Sequence, residues 1–355
     1  MNNAVQTAVI GVTGYAGAEL ARLLLRHPRL KGTPPVFAGR LDARDAERGG
    51  VPLAEIHPEL VDSKGSGNLR HQPFSWELLT DRDVQTLFLA TPHEQSRQWV
   101  PEALKRGMRV IDLSGAWRLN EAANRSIYAF EDEGSAQSLK IQDEAVYGMP
   151  ELHRADIAQA RLVANPGCYA TSVILALRPL VAGGLVDVEA GIVVDSKSGV
   201  SGAGKAPTSK THFMYAADNL SAYGVFGHRH MGELLEQIDL PGDAIVFTPH
   251  LLPIPRGILS TIYVRFKKPQ TREELMHTYK TFFAHSPMVR LHENGLPQIL
   301  HVARTSYADI GFQLSSDGRR AVIVSCLDNL LKGAASQAVQ NFNVMHGWNE
   351  QEGLE

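Results

Sequence analysis

The sequence predicts an α/β protein: an N-terminal domain built on a parallel sheet, followed by an α+β domain. Three observations carry this. Short apolar strands alternate with helices from the N-terminus to about residue 113, a glycine-rich turn joins the first strand to the first helix, and beyond residue 167 strands predominate with few helices among them. A length of 355 residues fits two domains at about 150 residues each.

Thr7–Val12 reads as a short buried strand, Ala18–Arg26 as a helix and Pro35–Ala38 as a second strand. Val84–Ala90 is an apolar strand bounded by Asp83 and Thr91-Pro92; Trp99–Arg106 is helical and Arg109–Leu113 is again a strand. This alternation implies right-handed βαβ units. Asp42–Gly50 and Asp62–Asn68 are polar and read as exposed loops. Further on, Ile192–Asp195, Ala244–Thr248, Leu259–Phe266, Ala308–Leu314 and Ala321–Cys326 are strand candidates. In the third of these, Ile262, Val264 and Phe266 alternate with Tyr263 and Arg265, as on a sheet with one wet face. Leu330–Val344 is predicted helical although it carries Gly333.

Gly11-Val12-Thr13-Gly14-Tyr15-Ala16-Gly17 follows the first strand and opens the first helix. Its spacing is G-x-x-G-x-x-G. Glycines there permit a tight turn and close backbone approach, so the helix N-terminus can face a pyrophosphate. That makes the first domain a Rossmann-type, dinucleotide-binding one. The second strand ends in Ala38-Gly39-Arg40, where an NAD enzyme usually places an acid for the ribose 2′-hydroxyl. Arg40 would instead accommodate a 2′-phosphate, which favours NADP, while Asp42 and Asp45 keep NAD as the alternative.

Asn165-Pro166-Gly167-Cys168 places a cysteine behind a rigid turn. Val173, Ile174, Leu177 and Leu180 follow at helical spacing, so a helix begins near Cys168. A thiol at a helix N-terminus faces unpaired N–H groups and the positive end of the dipole, and both favour the thiolate. The alternative is an inert buried cysteine. Cys326 ends an apolar strand and reads as core.

Gly227-His228-Arg229-His230-Met231-Gly232-Glu233 carries two histidines two apart, which one helix face cannot present together. His230 and Glu233 are three apart, so the carboxylate can orient the imidazole as an acid/base for the thiol. His228 is the competing base, and ordinary surface histidines are the other reading. A zinc site of these histidines with Cys168 lacks a fourth ligand and the usual cysteine spacing, so no metal is expected. Ser196–Lys205 follows a strand with hydroxyls, flexible amides and two lysines; it is either a cradle for an acyl phosphate or a surface loop. Arg118 follows a parallel strand, at the edge where such sheets bind ligands, and is a candidate for a carboxylate or phosphate or a plain surface arginine. His250 is ambiguous and can be structural.

These segments together resemble the N-acetyl-gamma-glutamyl-phosphate reductase family, relatives of aspartate-semialdehyde dehydrogenase. The likeness runs through Gly11–Gly17, Asp112–Leu119, Tyr147–Leu152, Asn165–Thr171, Ser196–Lys205, His228–Glu233, Phe247–His250 and Asp328–Ala335. Gly115-Ala116-Trp117 stands where the family usually has Ala-Asp-Phe, and Met231-Gly232 where it has a residue followed by proline. The resemblance implies a second domain of the semialdehyde-dehydrogenase type at 168–329. It implies a nucleotide domain at 1–167 completed by a C-terminal helix, 330–355, and a homotetramer or dimer. It further implies NADPH-dependent reduction of an acyl phosphate through a Cys168 thioester, with His230 and Glu233 catalytic. The resemblance places cofactor contacts at Gly11, Thr13, Gly14, Tyr15, Ala16, Gly17, Arg40, Pro92, Ser114 and Asn329, and substrate contacts at Arg118, Ser198, Gly199 and His228.

A hydrophobic content of 44% and a charged content of 21% are those of an ordinary globular chain. A net charge of −3 gives no reason to expect nucleic acid or an anionic membrane as partner. Two cysteines far apart, no apolar run of spanning length and no basic, apolar leader lead us to expect a cytoplasmic protein.

Overall fold

Eight strands form the first sheet in a computed structural model that describes residues 5–60 and 68–355. They are β1 (Thr7–Ile10), β2 (Val36–Gly39), β3 (Val51–Pro52), β4 (Arg70–Pro73), β5 (Thr86–Leu89), β6 (Arg109–Asp112), β7 (Val146–Tyr147) and β8 (Leu162–Ala164), in the order β3-β4-β2-β1-β5-β6-β8-β7. Only the β3–β4 pair is antiparallel among them. Every residue of β1, β2 and β5 is buried, because helices cover both faces of a parallel sheet and leave no wet side. Register aligns Ala8 with Val36 and Leu87, and Leu87 with Val110, so one apolar layer runs across the sheet. The order reverses between β1 and β5, and a crevice opens outside the carboxyl ends of strands at such a point.

The chain divides into two compact units. The first takes the described residues up to Arg118, then Phe130–Asn165 and Ala335–Glu355. The helix Ser336–Met345 belongs to it and is buried throughout. Several of its amide groups are bonded rather than solvated: Gln337 and Asn341 donate to the Gly148 carbonyl at 3.0 and 2.8 Å, and Asn343 Oδ1 meets the His27 ring at 2.9 Å. Buried amides are tolerated only when paired in this way.

The second unit, Leu119–Ala129 and Pro166–Ala334, holds a seven-stranded mixed sheet. Its strands are β9 (Ile192–Gly199), β10 (Ser221–Ala222), β11 (Ile245–Leu252), β12 (Ile258–Arg265), β13 (Val289–Leu291), β14 (Ala308–Leu314) and β15 (Arg320–Leu327), in the order β10-β11-β9-β12-β15-β14-β13. The expected alternation is present in β12, where Ile262 and Val264 are buried while Tyr263 is exposed. The helix Cys168–Ala182 packs on β12 and β15. Beneath it, Ser172, Ser196, Ser260 and Ser325 join buried hydroxyls at 2.7–3.1 Å. Leu119–Ala129 joins this unit through Glu236, whose carboxylate accepts from the Asn120 and Glu121 amides and the Asn124 side chain.

Two expectations change. Asp42–Gly50 is not wholly a loop: Ala43–Glu47 is helical, with Asp42 accepting from the Asp45 amide as its N-cap. The helix expected over Leu330–Val344 starts as a π-helical turn, Leu331–Ala335, before becoming α-helical. The stretch Asp62–Asn68 lies outside the described residues except at its last position.

Candidate active site

In the second unit a helix starts at Cys168, with Gly167 as its N-cap and no side chain capping it. Its first-turn amides therefore point at whatever approaches Cys168, whose side chain is partly exposed. Pro166 and Gly167 set the turn, and Glu233 holds it: the fully buried carboxylate accepts the Gly167 N–H at 2.9 Å. Glu233 comes from the helix Met231–Ile238, whose N-cap residue is His230. The His230 ring lies on Gly167 so closely that a Cβ there would come within 2.4 Å of Nε2. Glycine is required at 167 for that reason. On the other side Gly333, in the π-helical turn, approaches Cys168; a Cβ on it would lie 2.8 Å from Cys168 Cβ.

The expected His230–Glu233 pairing is looser than the spacing implied. Nε2 and Oε1 are 3.9 Å apart, an ion-pair distance beyond hydrogen-bond range, while the short bond of Glu233 goes to Gly167. The carboxylate thus ties the cysteine turn to the histidine helix.

His228 occupies an aromatic cage of Tyr169, Tyr223 and Phe247. Burial, with help from the Arg229 charge, pulls its pKa down to about 4. Its Nδ1 accepts the His230 N–H at 3.1 Å, so the neutral ring carries its proton on Nε2. Burial, then the neighbouring Tyr223, push the Tyr169 hydroxyl well above its ordinary value. Tyr223 is raised as well, by burial first, and a Cys168 thiolate would raise both further. Both phenols therefore stay protonated, and the Tyr169 hydroxyl donates to the His250 carbonyl at 2.7 Å.

In the first unit, Gly11 has a φ of +95°, and a Cβ there would strike the Ala90 carbonyl at 2.3 Å. At Gly17 a Cβ would reach 2.1 Å from the Gly11 carbonyl. Both glycines are forced by close packing of turn, strand and helix. The helix Tyr15–Arg26 begins at Gly14 with no side-chain cap and no acid in its first turn, which leaves its positive end open to an anion. Thr13–Gly17 after β1, Arg40 after β2, Pro92 after β5 and Ser114 after β6 all follow carboxyl ends of neighbouring parallel strands. Arg40 is exposed at the end of β2.

Comparison with known proteins agrees with this layout. Residues 6–160 match the family model "Semialdehyde dehydrogenase, NAD binding domain", and 168–329 match "Semialdehyde dehydrogenase, dimerisation domain". The chain is 41% identical to the N-acetyl-gamma-glutamyl-phosphate reductase of Methanocaldococcus jannaschii over 98% of its own length and 97% of that protein's. It is 38% identical to the protein of the same name from Caldicellulosiruptor saccharolyticus, covering 99% and 98%. The chain belongs to the N-acetyl-gamma-glutamyl-phosphate reductase family. Its fold is that of aspartate semialdehyde dehydrogenase II from Vibrio cholerae, solved with ASA, with a TM-score of 0.69 at 19% identity over 97% of this chain and 98% of that one. The Francisella tularensis enzyme aligns with a TM-score of 0.67 at 15% identity, over 96% and 100%.

Within this family member, several candidate residues are committed to the protein itself. Arg118 is buried; Nε donates to the Asn165 carbonyl and Nη2 to that of Leu113, both at 2.8 Å, so much of its fork braces the backbone. Ser114 donates to the buried Asp112 at 2.7 Å and accepts from the Ala116 amide. Asn329 accepts from Gly257 N–H and donates to Ser201 Oγ. The reading of Ser196–Lys205 as one flexible loop is corrected. Ser196–Gly199 continues β9, the Gly199 and Val200 amides donate to the Gly257 and Ile254 carbonyls, and only Gly202 onward is exposed. Cys326 is buried as expected, its thiol pushed up to about 12 by burial.

Both departures from the family pattern make identifiable local contacts. Trp117 is buried with the Arg97 guanidinium 4.2 Å from its ring centre. At Gly232 a Cβ would come within 2.9 Å of Asn124 Cβ and 3.0 Å of Leu119 Cδ1, so glycine lets this helix seat on the Leu119–Ala129 segment. Among the described residues His292, His301 and Asp309 gather at metal-like spacing, but Asp309 is already bonded to Arg290 at 2.7 Å and His292 at 2.8 Å. Sequence reasoning missed Tyr169, Tyr223 and His57. His57 is buried and its ring meets the Val12 carbonyl of the glycine turn at 2.8 Å, a contact across 45 residues that no local signal announces.

Proposed function

We propose that this chain reduces N-acetyl-L-glutamyl 5-phosphate to N-acetyl-L-glutamate 5-semialdehyde, using NADPH and releasing phosphate, in arginine biosynthesis. The observation that carries the reading is the Cys168 helix start, with His230 laid on Gly167 and Glu233 bonded to the same turn.

His230 takes the Cys168 proton, and the thiolate attacks the acyl carbon. The C–O bond to phosphate breaks and leaves a thioester on Cys168. The Cys168, Tyr169 and Ala170 amides of the uncapped first turn stabilise the oxyanion; the Gly167 amide is already bonded to Glu233. His228, neutral above a pKa of about 4, contributes an N–H donor rather than a base. Gly11–Gly17 with the open helix end would hold the pyrophosphate, and Arg40 the 2′-phosphate. When bound, the reduced nicotinamide supplies the hydride that takes the thioester to a thiohemiacetal. Breaking of its C–S bond releases the aldehyde and regenerates the thiolate.

The unit carrying Cys168 also exposes an apolar arm: Phe213, Met214, Tyr215 and Phe226 are largely in solvent, and Phe226 has a φ of +59°, rare for an aromatic residue. The partner we assign to it is a second copy of the chain, in line with the dimerisation-domain match. We place the enzyme in the cytoplasm; among the described residues no helix is long and apolar enough to cross a membrane.

The test is phosphate-dependent oxidation of N-acetylglutamate semialdehyde, run beside its carrier-protein-linked analogue. Turnover of the free N-acetyl substrate with NADP is expected. Turnover of only the carrier-linked substrate overturns the substrate assignment.

A further inference from the structure

A buried imidazole stands beside the strand end that reads the adenosine ribose. His71 lies on β4, paired in register with Phe37 of β2, and is almost wholly buried. Its ring leans on Gly39, the last residue of β2: a Cβ built there would fall 2.6 Å from Nε2 and 3.3 Å from Cε1. Real Cβ atoms do not approach so closely, so with His71 in place position 39 accepts only glycine unless the ring moves. The ring is almost wholly buried, which limits where it can move. His57 lies close enough that its charge would depress His71 further, burial being the main cause of the lowering and the Ala38 carbonyl opposing it. His57 in turn is bonded to Val12 in the glycine turn. Two buried histidines thus back the ends of β1 and β2.

In dinucleotide-binding sheets the end of the second strand is where an acid selects NAD, by bonding the 2′-hydroxyl and repelling a 2′-phosphate. Here that acid has no place to stand at position 39. The next residue, Arg40, is exposed and positive. We infer that His71 is a positioning residue for cofactor choice: its ring occupies the volume a carboxylate side chain at position 39 would need, so β2 can offer the ribose only Arg40. This rests on the reading of Arg40 as the 2′-phosphate group. The selection is steric, with no proton transfer in it.

A variant cycle tests this with two readouts, the melting temperature without cofactor and the dissociation constants for NADP and NAD. Gly39→Asp alone is expected to lower the melting temperature and weaken NADP without gaining NAD. Adding His71→Ala should restore much of the melting temperature and tighten NAD roughly tenfold or more, the size of one charge-assisted contact. If Gly39→Asp proves insoluble, Gly39→Ala makes the same collision with a single methyl, and its rescue by His71→Ala is read from melting alone. The inference is overturned if Gly39→Asp matches the double variant in both readouts, since the ring then yields freely. It is also overturned if the double variant gains nothing for NAD. Arg40→Ala runs in parallel. An unchanged NADP-to-NAD ratio there, with the cycle behaving as expected, removes Arg40 and leaves His71 standing; a fallen ratio with an additive cycle does the reverse.

Discussion

At the scale of single residues, the two cysteines differ in everything that governs thiol chemistry. Cys168 stands partly exposed at a helix N-terminus, whereas burial pushes Cys326 up to about 12. Iodoacetamide should label Cys168 first, and acyl phosphate should protect it; Cys168→Ser should keep the fold and lose essentially all turnover. Labelling of Cys326 ahead of Cys168, or more than a few per cent residual activity, would count against the assignment. For the base, His230→Ala should lower turnover by about 10²–10⁴-fold. His228, with a pKa drawn down to about 4, carries no charge change near neutrality, so any step in the pH–rate profile near neutral pH should survive His228→Ala. A pH–rate profile that loses that step only in His228→Ala would reverse the roles. The helix start at Cys168 was legible because its cues are local: proline and glycine before it, helical apolar spacing after it. The grip of Glu233 on Gly167 was not, because 66 residues separate the partners and spacing pointed to His230 instead.

At the scale of elements, glycine is the device that brings backbone close to Cys168. Gly333→Ala places a methyl 2.8 Å from Cys168 Cβ and 3.2 Å from its Cα, neither of which is the far end of a flexible side chain. The expected result is a loss of stability of about 1–3 kcal/mol, typical of overpacking, together with a fall in kcat. Urea unfolding and steady-state kinetics check it, and an unchanged kcat with unchanged stability would mean the turn is free to shift. The same scale shows where sequence reading works and where it fails. Strands such as β1 and β5 are buried runs, apolar after a leading threonine, and the sequence places their ends within two residues. Ser196–Gly199 looked like a loop because serine and glycine favour turns, yet pairing with β11 and β12 on both sides keeps it extended. Asp42 likewise resembled loop composition while acting as a helix cap.

At the scale of the whole molecule, the arm bearing Phe213, Met214, Tyr215 and Phe226 is expected to be covered by a second copy of the chain. Phe213→Ser combined with Phe226→Ser should shift the sedimentation coefficient towards a smaller species, while either a dimer or a tetramer is acceptable for the parent. No shift would place the contact elsewhere. The chain's path has a consequence of its own. The parallel-sheet unit begins with the first strands but is closed by Ser336–Met345, whose ten residues are all buried and whose amides bond Gly148 and His27. A nascent chain on the ribosome therefore cannot finish its first unit first. The seat for that helix stays uncovered until residues 336–345 have been made, long after the strands it covers, and until then it is open to chaperones and to wrong partners.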